Sequence, residues 1–73
     1  MKLAVFGASG RMGQAVTRLA HAAPDIQLVG AICAADDPAL GRDAGEVAGV
    51  GAIGVELSAD IAAGLLGADV VID

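Results

Sequence analysis

Tryptophan and tyrosine are absent, and phenylalanine occurs once, at Phe6. That excludes a core built around large rings. Packing must fall to Ala, Val, Leu and Ile within a hydrophobic content of 56%. Such a core is typical of a parallel sheet covered by helices. Cysteine also occurs once, at Cys33, which excludes an internal disulfide and fits a reducing cytoplasm. Basic residues are few: 4 Lys and Arg stand against 9 Asp and Glu, for a net charge of −5. Beyond the scattered Arg11, Arg18 and Arg42 there is no basic patch, so nucleic acid is not an expected partner. No apolar run approaches the roughly 20 residues of a membrane span. Only four apolar residues separate Lys2 from Gly7, too few for a secretory signal. A chain of 73 residues supports at most one small domain. At that size only about 60% of the unfolded surface is buried.

Glycine, by contrast, is abundant, and its placement is informative. Gly7-Ala8-Ser9-Gly10-Arg11-Met12-Gly13 follows the apolar run Leu3–Phe6 and opens a segment of helical periodicity. Strand, glycine turn and helix together form a context that can hold a phosphate. At Gly7 the missing Cβ permits a sharp turn. At Gly10 it lets a pyrophosphate approach the backbone, and at Gly13 it lets the helix pack closely on the strand. The first helical turn has unpartnered N–H groups and the positive end of the helix dipole. Arg11 adds a full positive charge. The spacing is G-x-x-G-x-x-G, with Ala8 where the dinucleotide fingerprint usually has its second glycine, so the motif is a variant.

Residues 2–6 read as a buried first strand. Residues 11–23 read as a helix whose Met12, Ala15, Val16, Leu19 and Ala23 face the sheet. Pro24-Asp25 ends it. Residues 26–32 read as a second strand. Residues 33–52 have no clear period and read as a long irregular loop, with one helical turn near Asp43–Ala48. Asp43 and Glu46 are candidates to cap or brace it. A short third strand is expected over 53–57. Ser58 is the expected N-cap of a helix from Ala59 to Leu66, with Gly67 as its stop. A further buried strand begins at Asp69. The order β-α-β-loop-β-α-β implies a parallel sheet with right-handed crossovers. The expected fold is α/β, a Rossmann-like doubly wound parallel sheet. It is expected to be incomplete, an N-terminal fragment that stops within or at the end of its last strand.

Three stretches together resemble bacterial dihydrodipicolinate reductase, also called 4-hydroxy-tetrahydrodipicolinate reductase. They are the Gly7–Gly13 loop, Leu40-Gly41-Arg42-Asp43-Ala44-Gly45-Glu46-Val47-Ala48-Gly49, and Ala68-Asp69-Val70-Val71-Ile72-Asp73. The resemblance runs through essentially the whole chain. It implies the NADH- or NADPH-binding portion of a reductase of lysine and diaminopimelate biosynthesis. Its substrate would be a cyclic imine dicarboxylate, and the full-length enzyme would be a homo-oligomer, by resemblance a tetramer. It also implies cofactor contacts at Gly7, Ala8, Ser9, Gly10, Arg11, Met12 and Gly13. The family often places a Glu and an Arg just after the second strand, to read the adenosine ribose and a 2′-phosphate. The positions here are Cys33 and Ala34, which can do neither. Asp36 and Asp37 can substitute if the loop bends back. Arg11 is then the expected phosphate reader, and use of both cofactors or a preference for NADPH is expected. The family's catalytic residues lie in a second domain, and nothing in these 73 residues matches them.

The remaining candidates carry bland readings. His21 sits mid-helix without a partner acid, and a general acid or base needs one in reach. Cys33 reads as a small buried apolar residue. Asp36 and Asp37, without further ligands at suitable spacing, read as solvated rather than metal-binding. Met12 reads as core packing or a wall beside the cofactor. Two other functions stay open: a non-catalytic nucleotide-sensing module, and another amino-acid-pathway dehydrogenase. The Asp-Ala-Gly-Glu stretch speaks against the second.

Overall fold

A computed structural model describes all 73 residues. The elements run β1 (Lys2–Phe6), α1 (Arg11–Ala22), β2 (Gln27–Ile32), α2 (Ala44–Ala48), β3 (Leu57–Ser58), α3 (Ile61–Leu65) and β4 (Val70–Ile72). The strands form one sheet in the order β3-β2-β1-β4, with every pair parallel. Val5 pairs with Ala31 on one side and Ile72 on the other, so β1 is central. The strand order reverses direction at β1. In open parallel sheets that is where ligands settle, beyond the carboxyl ends of the strands.

Alternation along the strands sends successive side chains to opposite faces. Leu3, Val5, Ala31, Cys33 and Leu57 join Ala20 of α1 and Ala44 of α2 in one buried cluster. Gly30 and Ile32 point the other way and meet Gly64 of α3. Helices therefore cover both faces, as the doubly wound reading requires.

The close approaches depend on missing side chains. A Cβ on Gly13 would lie 2.2 Å from the Gly7 carbonyl oxygen, and one on Gly30 would lie 1.8 Å from that of Gly64. So tight a crossing admits only small residues beside it, and this corrects the expected face of α1. Its buried residues are Gly13, Thr17 and Ala20, whereas Met12 and Leu19 are 74% and 73% exposed. The fully buried stripe lies one residue, about 100°, round from the expected one, and of the expected residues Val16 packs partly buried against the core. Thr17 can be buried because its hydroxyl donates to the Gly13 carbonyl at 2.9 Å.

Residues 33–52 are ordered by one side chain. Asp43 caps α2 by accepting from the N–H groups of Gly45 (2.8 Å) and Glu46 (3.2 Å). The same carboxylate also accepts from Ile53 at 3.0 Å and Gly54 at 2.8 Å, ten and eleven residues on. Asp43 thus braces the segment as expected, whereas the Glu46 side chain makes no hydrogen bond. α2 ends at Gly49 in the left-handed conformation (φ 86°), with its N–H returned to Glu46.

Three further expectations are corrected. The strand expected over 53–57 shrinks to Leu57–Ser58. Ahead of it, the N–H groups of Ile53 and Gly54 go to Asp43, and the Val55 carbonyl takes the Ala44 N–H. Ser58 is not the helix cap, because it is still in the sheet and its carbonyl accepts from Cys33 N–H. The cap is Asp60, which accepts from Ala63 N–H, and α3 begins at Ile61. β4 is an edge strand rather than a buried one, with Val70, Val71 and Ile72 each 36–44% exposed.

Two outcomes follow for stability. Gly30→Ala forces backbone against backbone, where no rotamer gives relief, and should cost toward the upper end of about 1–3 kcal/mol. Gly41→Ala, which meets nothing within 4 Å and is strained only by its φ of 84°, should cost less when both variants are unfolded in urea. The Asp43 carboxyl is held below its ordinary value, chiefly by the Ile53 N–H and then by those of Gly54, Glu46 and Gly45. A folded pKa below the unfolded one stabilises above the ordinary carboxylate range, and that contribution is lost as pH falls through the folded value. Acid unfolding of Asp43→Asn should therefore lose part of the wild-type pH dependence, while its stability at neutral pH is already lowered.

Candidate functional site

The Gly7–Gly13 loop leaves the carboxyl end of β1 and enters α1 directly. Gly7 makes the turn at φ 65°, a conformation costly for any residue with a Cβ. Three bonds fix the loop. Ala8 N–H donates to the Ile32 carbonyl at 3.1 Å, Gly10 N–H donates to the Gly7 carbonyl at 3.0 Å, and the Gln14 side-chain amide donates to the Ser9 carbonyl at 2.7 Å.

The start of α1 is open. Its N-cap is Gly10, and no side chain caps it. The first helical bond runs from Gln14 N–H to the Gly10 carbonyl, so the N–H groups of residues 11–13 have no intrahelical acceptor. Arg11 and Met12 stand exposed at this end. Met12 is therefore not core; the structure leaves it free to wall the crevice.

The chain beyond β2 bends back on the loop. A turn closes with Asp37 N–H donating to the Ala34 carbonyl at 3.1 Å. The Ser9 hydroxyl donates to Asp37 Oδ2 at 2.5 Å, and Ala39 N–H donates to Oδ1 at 2.8 Å. The Ser9 bond and then the Ala39 bond hold the Asp37 carboxyl below its ordinary value. Cys33 lies in the core, with its thiol pushed up by desolvation and then by the charge of Asp37. Such a thiol is protonated at neutral pH and is a poor nucleophile. Beside Cys33 and Ala34 a cavity of about 460 Å³ opens at the strand ends, bounded also by Phe6, Gly7, Ala59 and Ile61.

Sequence reasoning brought the loop and the ends of β1 and β2 together correctly. It allowed for the return of Asp37 but had no means to select it over Asp36. It missed Gln14 as a brace, since one polar residue on a helix signals nothing by itself. It also missed the approach of Ala59 and Ile61 to the cavity. His21 is remote from all of these, beside a second cavity at the opposite end of the sheet. The structure contains no cluster of three or more metal-ligating side chains, and no helix is long and apolar enough to cross a membrane.

A parallel sheet with helices on both faces, a glycine turn after the central strand and an uncapped helix start define the Rossmann-like class. Comparison with known proteins narrows that class. The family model described as "Dihydrodipicolinate reductase, N-terminus" matches residues 1–73. The 4-hydroxy-tetrahydrodipicolinate reductase of Agrobacterium fabrum is 51% identical over 73 residues, covering 100% of this chain and 26% of that protein. That of Anaeromyxobacter dehalogenans is 49% identical over 72 residues, covering 99% of this chain and 27% of the relative. The reductase of Rhizobium rhizogenes is 48% identical over 73 residues, covering all of this chain and 27% of the relative. The chain belongs to the dihydrodipicolinate reductase family, as its N-terminal part. It spans about a quarter of the length of the curated relatives it matches.

The Ser9–Asp37 bond has a measurable signature. Because the folded pKa of Asp37 is lowered, the bond stabilises above the ordinary carboxylate range and fails as pH falls through the folded value. In a carboxyl-carbon NMR titration, Ser9→Ala should move the Asp37 midpoint up toward the ordinary range and leave that of Asp43 unchanged.

Proposed function

We propose that this chain is the dinucleotide-binding part of a 4-hydroxy-tetrahydrodipicolinate reductase, a cytoplasmic enzyme of lysine and diaminopimelate biosynthesis. The substrate is a cyclic imine dicarboxylate, and the full-length enzyme is an assembly of identical subunits. Catalytic groups belong to a separate substrate domain. A bound nicotinamide cofactor supplies the hydride, and the residues of this chain supply position and charge. The loop from Gly7 to Gly13 receives the pyrophosphate. The N–H groups of residues 11–13 and the dipole of α1 meet its negative charge. Arg11 adds an exposed cation, and Met12 walls the crevice. Cys33 and Ala34 border the cavity that takes the adenosine end.

The observation that carries this reading is Gly10. Its backbone is extended (φ −80°, ψ 175°), which any residue adopts. The nearest atom to an added Cβ is the Gly7 carbonyl oxygen at 3.4 Å, an ordinary contact. The fold makes no demand for glycine there. The space over the open helix end is what a Cβ would take away, and that space suits a phosphate.

Gly10→Ala in the full-length protein should therefore keep its melting temperature within a few degrees of wild type. Its affinity for NADH and NADPH by isothermal titration calorimetry should fall about tenfold or more, equivalent to at least about 1.4 kcal/mol. Unaltered affinity in a folded variant would remove the phosphate site from this loop.

A further inference from the structure

Two successive carbonyls of the glycine loop are taken by one residue. Gln14 N–H donates to the Gly10 carbonyl at 2.9 Å, and Gln14 Nε2 donates to the Ser9 carbonyl at 2.7 Å. The first bond belongs to any α-helix. The second needs this side chain. A carbonyl oxygen only accepts, so the NH2 end of the amide must face it. The Ser9 hydroxyl is already committed elsewhere, as donor to Asp37.

The Ser9–Gly10 peptide is thereby held at both ends. Its N–H donates to the Gly7 carbonyl at 3.0 Å. That carbonyl cannot give way, because Gly13 packs so close that an added Cβ would lie 2.2 Å from its oxygen. The other end is the Ser9 carbonyl, and Gln14 is the group that holds it. A hold is needed there. Gly10 has no Cβ to confine its φ, so the peptide before it rotates more freely than it would before any other residue. The missing side chain that leaves room over the helix start also loosens the peptide beside that room.

We propose that Gln14 is a positioning residue of the dinucleotide site: its amide keeps the Ser9 carbonyl turned onto α1, so that the loop meets a pyrophosphate with N–H donors and not with a loose acceptor. This rests on the dinucleotide reading above. The N–H groups of residues 11–13 are the open donors at this end. A carbonyl oxygen carries partial negative charge. Left unheld beside those donors, it competes for them with the incoming anion and repels it. Fixing the peptide before the ligand arrives also removes an ordering cost from binding. The pyrophosphate is common to NADH and NADPH, so Gln14 serves both alike.

The test uses the full-length protein and two variants, Gln14→Met and Gln14→Glu. Met has a similar length and no donor. Glu has the same shape and puts a carboxylate where the donor stood. Both are good helix formers, so both should melt within a few degrees of wild type. Without ligand, hydrogen exchange at the Gly10 N–H should quicken about threefold or more in each, as the loss of one neutral hydrogen bond implies. In calorimetric titrations, Gln14→Met should bind NADH, NADPH and ADP about three- to tenfold more weakly, and Gln14→Glu more weakly still. Adenosine, measured by competition against NADH, carries no phosphate and should bind both variants as it binds wild type. Wild-type affinity for the dinucleotides and ADP in the folded variants overturns the proposal. So does an equal loss for adenosine, or unchanged exchange at Gly10. Failure of wild type to bind any of these ligands is a different result: it removes the dinucleotide reading and this role with it, while the Gly10 exchange rates still report whether the amide holds the loop.

Discussion

Everything at the carboxyl end of the sheet depends on α1 lying against the end of β1 with no side chain between them. The Gly13 backbone sits where a Cβ would strike the Gly7 carbonyl. This contact sets the height of the helix start above the strand and aims the open N–H groups of α1 into the crevice. It also dictates the small residues behind it. Thr17 and Ala20 follow Gly13 at helical spacing because larger side chains would lift the helix away. The Ser9–Asp37 bond and the cavity beside Cys33 are built on a loop whose position this contact has already set.

A second constraint governs the long connection. Asp43 draws four backbone N–H groups onto one carboxylate, two from the start of α2 and two from residues 53–54. A segment with five glycines between residues 41 and 54 would otherwise pay heavily in conformational entropy. Concentrating its order in one ionised side chain gives it a fixed course without a long helix or strand. The connection then returns the chain to β3 beside β2, where the Ser58 carbonyl receives the Cys33 N–H.

What could be read from the sequence follows from the range of the forces involved. The β1 strand, the glycine turn, α1 and β2 were legible because their signals are local: an apolar run, a glycine spacing, a helical period, a Pro-Asp stop. The helical turn after Asp43 was legible as a cap for the same reason. The buried face of α1 was misplaced by one residue because hydrophobicity favours Met12 and Leu19, while the close crossing favours Gly13, Thr17 and Ala20. The expected strand over 53–57 exceeds the observed Leu57–Ser58 although its apolar alternation is real. Its N–H groups, however, are taken by a carboxylate ten residues back, which no periodicity reveals. The link from Ser9 to Asp37 spans 28 residues. Two adjacent aspartates in a loop gave no sign of which would close it.

The central position of β1 has a consequence for synthesis. During synthesis β1 meets β2 early, about one helix later in the chain. Its other edge has no partner until Asp69 arrives to take the Lys2 N–H, 67 residues on. Until then the middle of the future sheet is an exposed rim, and the loop-closure entropy of that last pairing stands between the nascent chain and its crevice. The second edge of β1 thus waits on a strand that supplies its neighbour and none of the glycine loop itself.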